Sequence, residues 1–290
     1  MNNKKTSYFL NSALHYFSQK KCPSCGSGEY SVIDTKYLVT RLLKCKVCNL
    51  NYRHPQDSAE FNEEFYNKDY VESDGITTDL PDEAQLKKLM QANFAGSTKD
   101  MSQHIQIIQK LLGHLVGVRI VDYGANWGYV SYQFKQANMV VESYELAKDR
   151  AGYGRRLGLE IKTDENKIAL GNHIFYSSHV IEHLPSIPNM INVAKRCLLP
   201  NGYFIAFCPN GSKEFRDANR DKFHRGWGLV HPNYISADYY QYLFKNNPYL
   251  ITSDPYDVGS ISELGNRQIV GNLQGWELMV IAKINETLSC

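Results

Sequence analysis

Between residues 118 and 209 short apolar runs alternate with amphipathic ones, and few folds accept that alternation. "VRIVDYG", "MVVESYEL", "LEIKT", "HIFYSSHV" and "GYFIAFCP" read as strands. Three intervening stretches, "GYVSYQFKQA", "AKDRAGYGRRLG" and "IPNMINVAKRCL", read as helices. Repeated strand and helix imply a parallel sheet covered on both faces by its crossovers. Ligands of such sheets sit beyond the carboxyl ends of the strands, at the switch point. Ahead of the first strand, "DEAQLKKLMQANFAG" and "DMSQHIQIIQKLLGHL" carry apolar residues at helical spacing.

The loop after the first strand of this alternation reads "VDYGANWGYV". A dinucleotide fingerprint started at Gly124 would put Asn126 at its second glycine and Tyr129 at its third, and the tyrosine would obstruct close helix–strand packing. A phosphate loop would need a Lys-Ser or Lys-Thr pair, which is absent here. What fits is D-x-G-x-x-x-G, formed by Asp122, Gly124 and Gly128, with Glu145 ending the next strand. Gly124 lets the backbone approach a ligand, and an acid at the end of the second strand can accept both ribose hydroxyls. Asp122, acceptor-only when ionised, suits an ammonium better than a pyrophosphate.

With these residues the chain resembles the class I S-adenosylmethionine-dependent methyltransferases over about residues 100–285. Their first motif (acid, any residue, Gly, any, Gly, any, Gly) stands here as "DYGANWG", with Asn126 for the middle glycine. Asparagine tolerates positive φ better than most residues, so the turn survives. "SSHVIEHLPS" is similar to the family's strand-four motif, in which a hydrophobic residue precedes Glu-His. "LLPNGYFIAFCPN" is similar to its Leu-x-Pro-Gly-Gly turn, with Asn201 for one glycine. "HPNYISADYYQYLF", "YLITSDPYDV" and "GWELMVIAKI" fit the closing helix and the last antiparallel strand pair. The resemblance implies a Rossmann-like α/β fold: a doubly wound, mostly parallel seven-stranded sheet. It implies S-adenosylmethionine held by Asp122, Tyr123, Gly124, Ala125, Asn126, Gly128, Glu145, Leu146 and His179.

The head of the chain is governed by cysteines. Cys22 and Cys25 in "CPSCG" and Cys45 and Cys48 in "CKVCN" form two C-x2-C turns. Four thiolates on two such turns make a tetrahedral zinc site, and a closed set of four leaves no position for substrate, so the zinc is structural. Gly26 and Asn49 follow the second cysteine of each pair and tolerate the left-handed backbone of a metal knuckle. Cys197, Cys208 and Cys290 have no partner pattern. The division expected is 1–57 for the N-terminal segment and zinc ribbon, 58–100 for an aromatic, acidic linker, and 101–290 for the methyltransferase domain.

Phe61, Phe65, Tyr66 and Tyr70 in the linker suit either a short packing helix or an aromatic lid. Zinc ribbon, "FYNKDYVESDG" and catalytic domain in that order also resemble bacterial methyltransferases of polysaccharide and sugar biosynthesis. That resemblance implies Tyr66 and Tyr70 as lid residues, Tyr70 touching the cofactor.

Residues 1–57 hold nine Lys and Arg against three acids, and residues 58–100 hold four against ten. A basic head of this kind is either an RNA-binding module or a solvated surface. No run approaches the length of a membrane span, the basic start has no cleavage site, and a cytoplasmic protein is expected.

Methyl transfer to a hydroxyl needs a positioned acceptor and a group to remove its proton. His179, His183, His224 and His231 fall in loops after the fourth and fifth strands, with Glu182 beside them. His183 and His231 are the candidates for proton removal, His179 for cofactor contact, and Glu182 for orienting a histidine. "HRGWGLVHP" has the aromatic and cationic mixture of a sugar-binding loop. The leading reading is O-methylation of a sugar or nucleotide-sugar acceptor. RNA methylation aided by the basic ribbon comes second, and a non-catalytic binding protein third.

Overall fold

The computed structural model describes residues 9, 12–56 and 79–285. Tyr66, Tyr70 and most of the expected lid lie outside these residues, as does Cys290.

Three antiparallel strands form the ribbon: β1 (Tyr30–Lys36), β2 (Thr40–Cys45) and β3 (Asn51–His54). Gly26 and Asn49 turn the two knuckles at φ 72° and 64°. Two helices then precede the main sheet. The first, α1 (Glu83–Gln91), starts at a capping box in which Asp82 and Gln85 satisfy each other's backbone N–H. The second, α2 (Ser102–Leu112), stops at the left-handed Gly113.

The expected alternation follows: β4 (Arg119–Tyr123), α3 (Tyr129–Gln136), β5 (Val140–Tyr144), α4 (Lys148–Arg156), β6 (Ile161–Lys162), β7 (Asn172–Ser178), α5 (Ile187–Cys197) and β8 (Leu198–Pro209). Beyond it lie α6 (Lys213–Ala218), α7 (Arg220–Gly226), β9 (Asn233–Tyr234), α8 (Ala237–Leu243), β10 (Tyr249–Ser253), β11 (Gln268–Val270) and β12 (Glu277–Lys283). The main sheet has the order β11-β10-β12-β8-β7-β4-β5-β6. Strands β4 to β8 pair in parallel, and β12 lies antiparallel between β8 and β10. The sheet therefore has eight strands and is mixed, where seven and mostly parallel were expected. The eighth, β11, pairs in parallel with β10 over three residues, too short a run to stand out in the sequence. Strand order reverses between β4 and β7, which sets the switch point.

Alternate residues of each strand enter opposite layers, as the period of two requires. Val121, Phe175, Phe204 and Val280 belong to one apolar cluster, and their neighbours Ile120, Ile174, Ile205 and Ile281 to the other. The first cluster continues without a break into the ribbon, through Cys22, Leu43, Cys45, Cys48, Leu50 and Tyr52. Strand β9, far along the chain, pairs with β3, Asn51 opposite Tyr234, as the ribbon's fourth strand, while Asn233 donates to the Leu184 carbonyl. Among the described residues no helix is long and apolar enough to cross a membrane.

Candidate active site

A cleft enclosing about 910 Å³, open solvent included, lies where β4, β5 and β7 end. Its lining contains Tyr123, Gly124, Asn126, Glu145, Leu146, His179 and His183 of the expected residues. The glycine loop forms one wall. Gly124 stands at φ 83°, and a β-carbon there would lie 2.3 Å from Cγ2 of Val180. What a side chain would strike first is thus the neighbouring strand's loop rather than a ligand. Asn126 adopts φ 54°. Its Oδ1 accepts from the Trp127 N–H at 2.8 Å, and its own N–H donates to Oε2 of Glu145 at 2.8 Å. An asparagine in place of glycine thus supplies both the left-handed turn and a local bond that holds it. Trp127 is fully buried beside Phe94, Tyr129 and Tyr153 and anchors the loop from behind. Ala125 is buried, its N–H spent on the Tyr144 carbonyl, and Gly128 caps α3 at φ 88° against Leu159. Both shape the loop from outside the lining.

Glu145 accepts on its second oxygen from the Ala147 N–H at 2.8 Å. Burial raises its carboxyl pKa, opposed by the two backbone N–H groups and by the Arg150 guanidinium. Each oxygen keeps a lone pair for a ribose hydroxyl. Sequence reasoning missed Tyr144, Arg150, Val180 and Leu184 in the lining. Val180 and Leu184 stand within "SSHVIEHLPS", Tyr144 precedes the acid, and Arg150 falls in the helix that follows it.

Asp122 lies beneath the loop, 2% exposed and outside the cleft lining, and accepts from the Ser131 hydroxyl at 2.5 Å. It ties β4 to α3 rather than meeting an ammonium. Burial pushes its pKa up to about 7 against the Ser131 bond. A carboxyl raised in the folded state favours folding while neutral, and that contribution is lost as pH rises from about 4 through about 7. Asp122→Asn keeps an acceptor for Ser131 and removes the charge. We expect it to melt above wild type at pH 8, by up to about 4 kcal/mol in stability, with the gap closing toward pH 4. Thermal melts across that range check this, and a constant gap would mean that Asp122 is not the group titrating.

His179, Glu182, His183 and His231 come together on the other side, His179 and His183 in the cleft lining and the expected Glu182 and His231 outside it. The one-turn helix Ile181–His183 follows β7 and carries two of them. Nε2 of His179 meets Oε1 of Glu277 at 2.5 Å, and its Nδ1 lies 3.3 Å from Oε1 of Glu182. Burial disfavours its cation, but the two carboxylates outweigh burial and raise the pKa to about 10. Glu182 is fully buried, which disfavours its charge, yet the neighbouring histidines hold its pKa at about 2. Nδ1 of His183 donates to the Val230 carbonyl at 2.7 Å, and Nδ1 of His231 to the Gly226 carbonyl at 2.7 Å. Burial lowers both histidines, His183 to about 4, so this ring is neutral near pH 7. The ring centres lie 4.8 Å apart.

The remaining parts of the 224–231 segment serve the ribbon. His224 bonds to Oδ2 of Asp34 at 2.8 Å, and the Trp227 indole N–H donates to the same oxygen at 2.9 Å. Trp227 is 2% exposed, so it offers no face to a sugar, contrary to the reading of "HRGWGLVHP". Arg53, buried, donates to the carbonyls of Pro55, Gly228 and Leu229, and Lys36 donates to that of Trp227. Lys44 pairs with Asp238. Three of the nine cations of the basic head, Lys36, Lys44 and Arg53, are thus committed to the protein's own chain.

The four cysteines fit zinc. Sγ of Cys22 lies 3.5 Å from that of Cys48, and Sγ of Cys25 lies 3.5 Å from that of Cys45. A tetrahedron with Zn–S bonds of about 2.3 Å has edges of roughly 3.8 Å. The N–H groups of Val47 and Cys48 point at the Cys45 sulfur, as thiolate ligation favours. The site lies among β2, α5 and α8, away from the cleft lining.

No protein-family model and no curated protein matches the chain. Among solved structures it is similar to an S-adenosylmethionine-dependent methyltransferase from Mesorhizobium loti, at 16% identity and TM-score 0.44 over 64% of this chain and 99% of that one. It is similar to a methyltransferase of the same cofactor from Archaeoglobus fulgidus, at 12% and 0.46 over 68% and 99%. TehB from Haemophilus influenzae matches at 15% and 0.46 over 68% and 66%.

Proposed function

We propose that the chain is an S-adenosylmethionine-dependent methyltransferase acting on a hydroxyl of a sugar or sugar-containing small molecule. The observation that carries it is Glu145, fixed at the tip of β5 by the Asn126 and Ala147 N–H groups beside a glycine turn at the switch point. Glu145 would hold an adenosyl ribose there, with His179 and His183 on the same cleft lining and Glu182 and His231 packed against them. In the reaction an acceptor oxygen forms a bond to the methyl carbon while the carbon–sulfur bond breaks and its electron pair stays on sulfur. The hydroxyl proton passes to the imidazole side, where His183 and His231 stand with their Nδ1 atoms already protonated. Convergent carboxylate and imidazole acceptors suit a polyhydroxylated molecule, whose hydroxyls donate. The ribbon cations spent on backbone carbonyls and Asp238 weigh against an RNA acceptor.

Glu145→Ala is expected to lower S-adenosylmethionine affinity at least tenfold. It removes hydrogen bonds to a charged group, each worth about 1.5–3 kcal/mol, and frees the Asn126 turn. Calorimetry on the purified variant reads this directly, and an unchanged affinity would place the cofactor elsewhere. Labelled methyl uptake by nucleotide-sugars compared with RNA fragments tests the acceptor class.

A further inference from the structure

Glu182 poses a problem that methyl transfer alone does not answer. It has no exposed surface, and among the described residues neither carboxylate oxygen has a hydrogen-bond partner. Leaving a buried carboxylate in that condition is among the costliest arrangements in a protein. His179 offsets part of the charge from 3.3 Å, but it is shared with Glu277, so one cation stands against two carboxylates. The groups on the other side of Glu182 are His183, whose Nε2 lies 3.7 Å from Oε1, and His231. Both rings give their Nδ1 proton to a backbone carbonyl, which can only accept. In the neutral rings each Nε2 is then a lone-pair donor. Two imidazole nitrogens and a carboxylate oxygen thus converge within 4.8 Å of one another.

From this geometry we infer that Glu182, His183 and His231 form a second metal site, separate from the cysteines, for one divalent transition-metal ion. Histidines that ligate through Nε2 are commonly held by a carbonyl on Nδ1, which fixes tautomer and ring orientation. Two nitrogens and one oxygen suit zinc, cobalt or iron(II), and are too rich in nitrogen for magnesium or calcium. With bonds of about 2.1 Å the ligand atoms would stand roughly 3–3.5 Å apart, so the cluster closes by about an ångström on binding. Three protein ligands leave a position open, and one of the three, His183, lines the cleft. The four cysteines, by contrast, close their shell. The inference rests on these three side chains and not on the methyltransferase reading.

The test adds Co²⁺ to the full-length, zinc-loaded protein, whose cysteines are already filled. Wild type is expected to take up one equivalent with visible ligand-field bands and no thiolate charge-transfer band. Glu182→Gln and His231→Ala should each weaken Co²⁺ uptake at least about tenfold while one zinc per chain stays bound. No uptake by folded wild type, or equal uptake by both variants, overturns the site. A charge-transfer band would show that cobalt had entered the cysteines and would overturn it equally. If a variant fails to fold, stoichiometry and spectrum of the wild-type adduct decide. S-adenosylmethionine affinity measured on the same samples separates this outcome from the fate of the methyltransferase reading.

Discussion

Cys45→Ser, or removal of zinc by a strong chelator, is expected to abolish turnover and to lower the melting temperature of the whole protein in one transition. Ligation by four cysteines contributes on the order of 10–16 kcal/mol to small zinc modules, which are unfolded without it. An independent head would unfold by itself and leave catalysis intact. Here Leu43, Cys45 and Cys48 belong to the apolar cluster that also holds Phe204, Tyr240 and Val280, so its loss is felt across the sheet. The ribbon also holds the segment that carries His231: Arg53 binds the carbonyls of Gly228 and Leu229, and Asp34 binds His224 and Trp227. Metal analysis, calorimetric melts and labelled methyl transfer on the same sample test this. A folded, metal-free protein with wild-type melting and turnover would contradict it.

His183→Ala and His231→Ala are each expected to cut turnover by about 10²–10⁴, the range for losing a group that handles a proton in the transition state. On the proposed reading Glu145, which would hold the cofactor's ribose, stands on the opposite wall, so S-adenosylmethionine affinity should change by no more than a few-fold. Single-turnover rates and calorimetry separate the two effects. The same loss follows whether the Nε2 atoms accept the proton themselves or hold the ion inferred above, and dependence of the wild-type rate on added Co²⁺ distinguishes these routes. Wild-type rates in both variants would leave positioning alone to carry the reaction and would favour a nitrogen acceptor, which needs little help in losing its proton.

Features written in contiguous sequence were legible. Strands β4, β7 and β8 are continuous apolar runs because both faces of the sheet are covered, and the turn at Asn126 follows from residue chemistry alone. The cysteine knuckles follow from two C-x2-C spacings. What escaped notice depends on partners far along the chain. Strand β9 has two residues and pairs with a strand that ends at His54, so no local pattern marks it. Trp227 sits between charges as an open binding loop would place it, yet its indole N–H reaches Asp34, 193 residues upstream. Asp122 stands at the motif's acidic position, and only the register of α3, which brings Ser131 beneath the loop, shows where its carboxylate is spent. The convergence of Glu182, His183 and His231 likewise needed the 226–231 segment folded back, which the ribbon accomplishes.

The pairing of β3 with β9 bears on how such a chain can be inherited or re-engineered. A zinc ribbon that completes its own sheet can be exchanged between proteins as a cassette. This one cannot, because its last strand lies in the loop that brings His231 to His183 and Glu182. Deleting the head would strip β9 and the Gly228 and Leu229 carbonyls of their partners, and a chain ending before residue 233 would leave β3 as an open edge, ready to pair with another copy. Exchange of acceptor specificity between relatives would therefore require the ribbon and the 224–235 segment to travel together, although more than 160 residues separate them in the sequence.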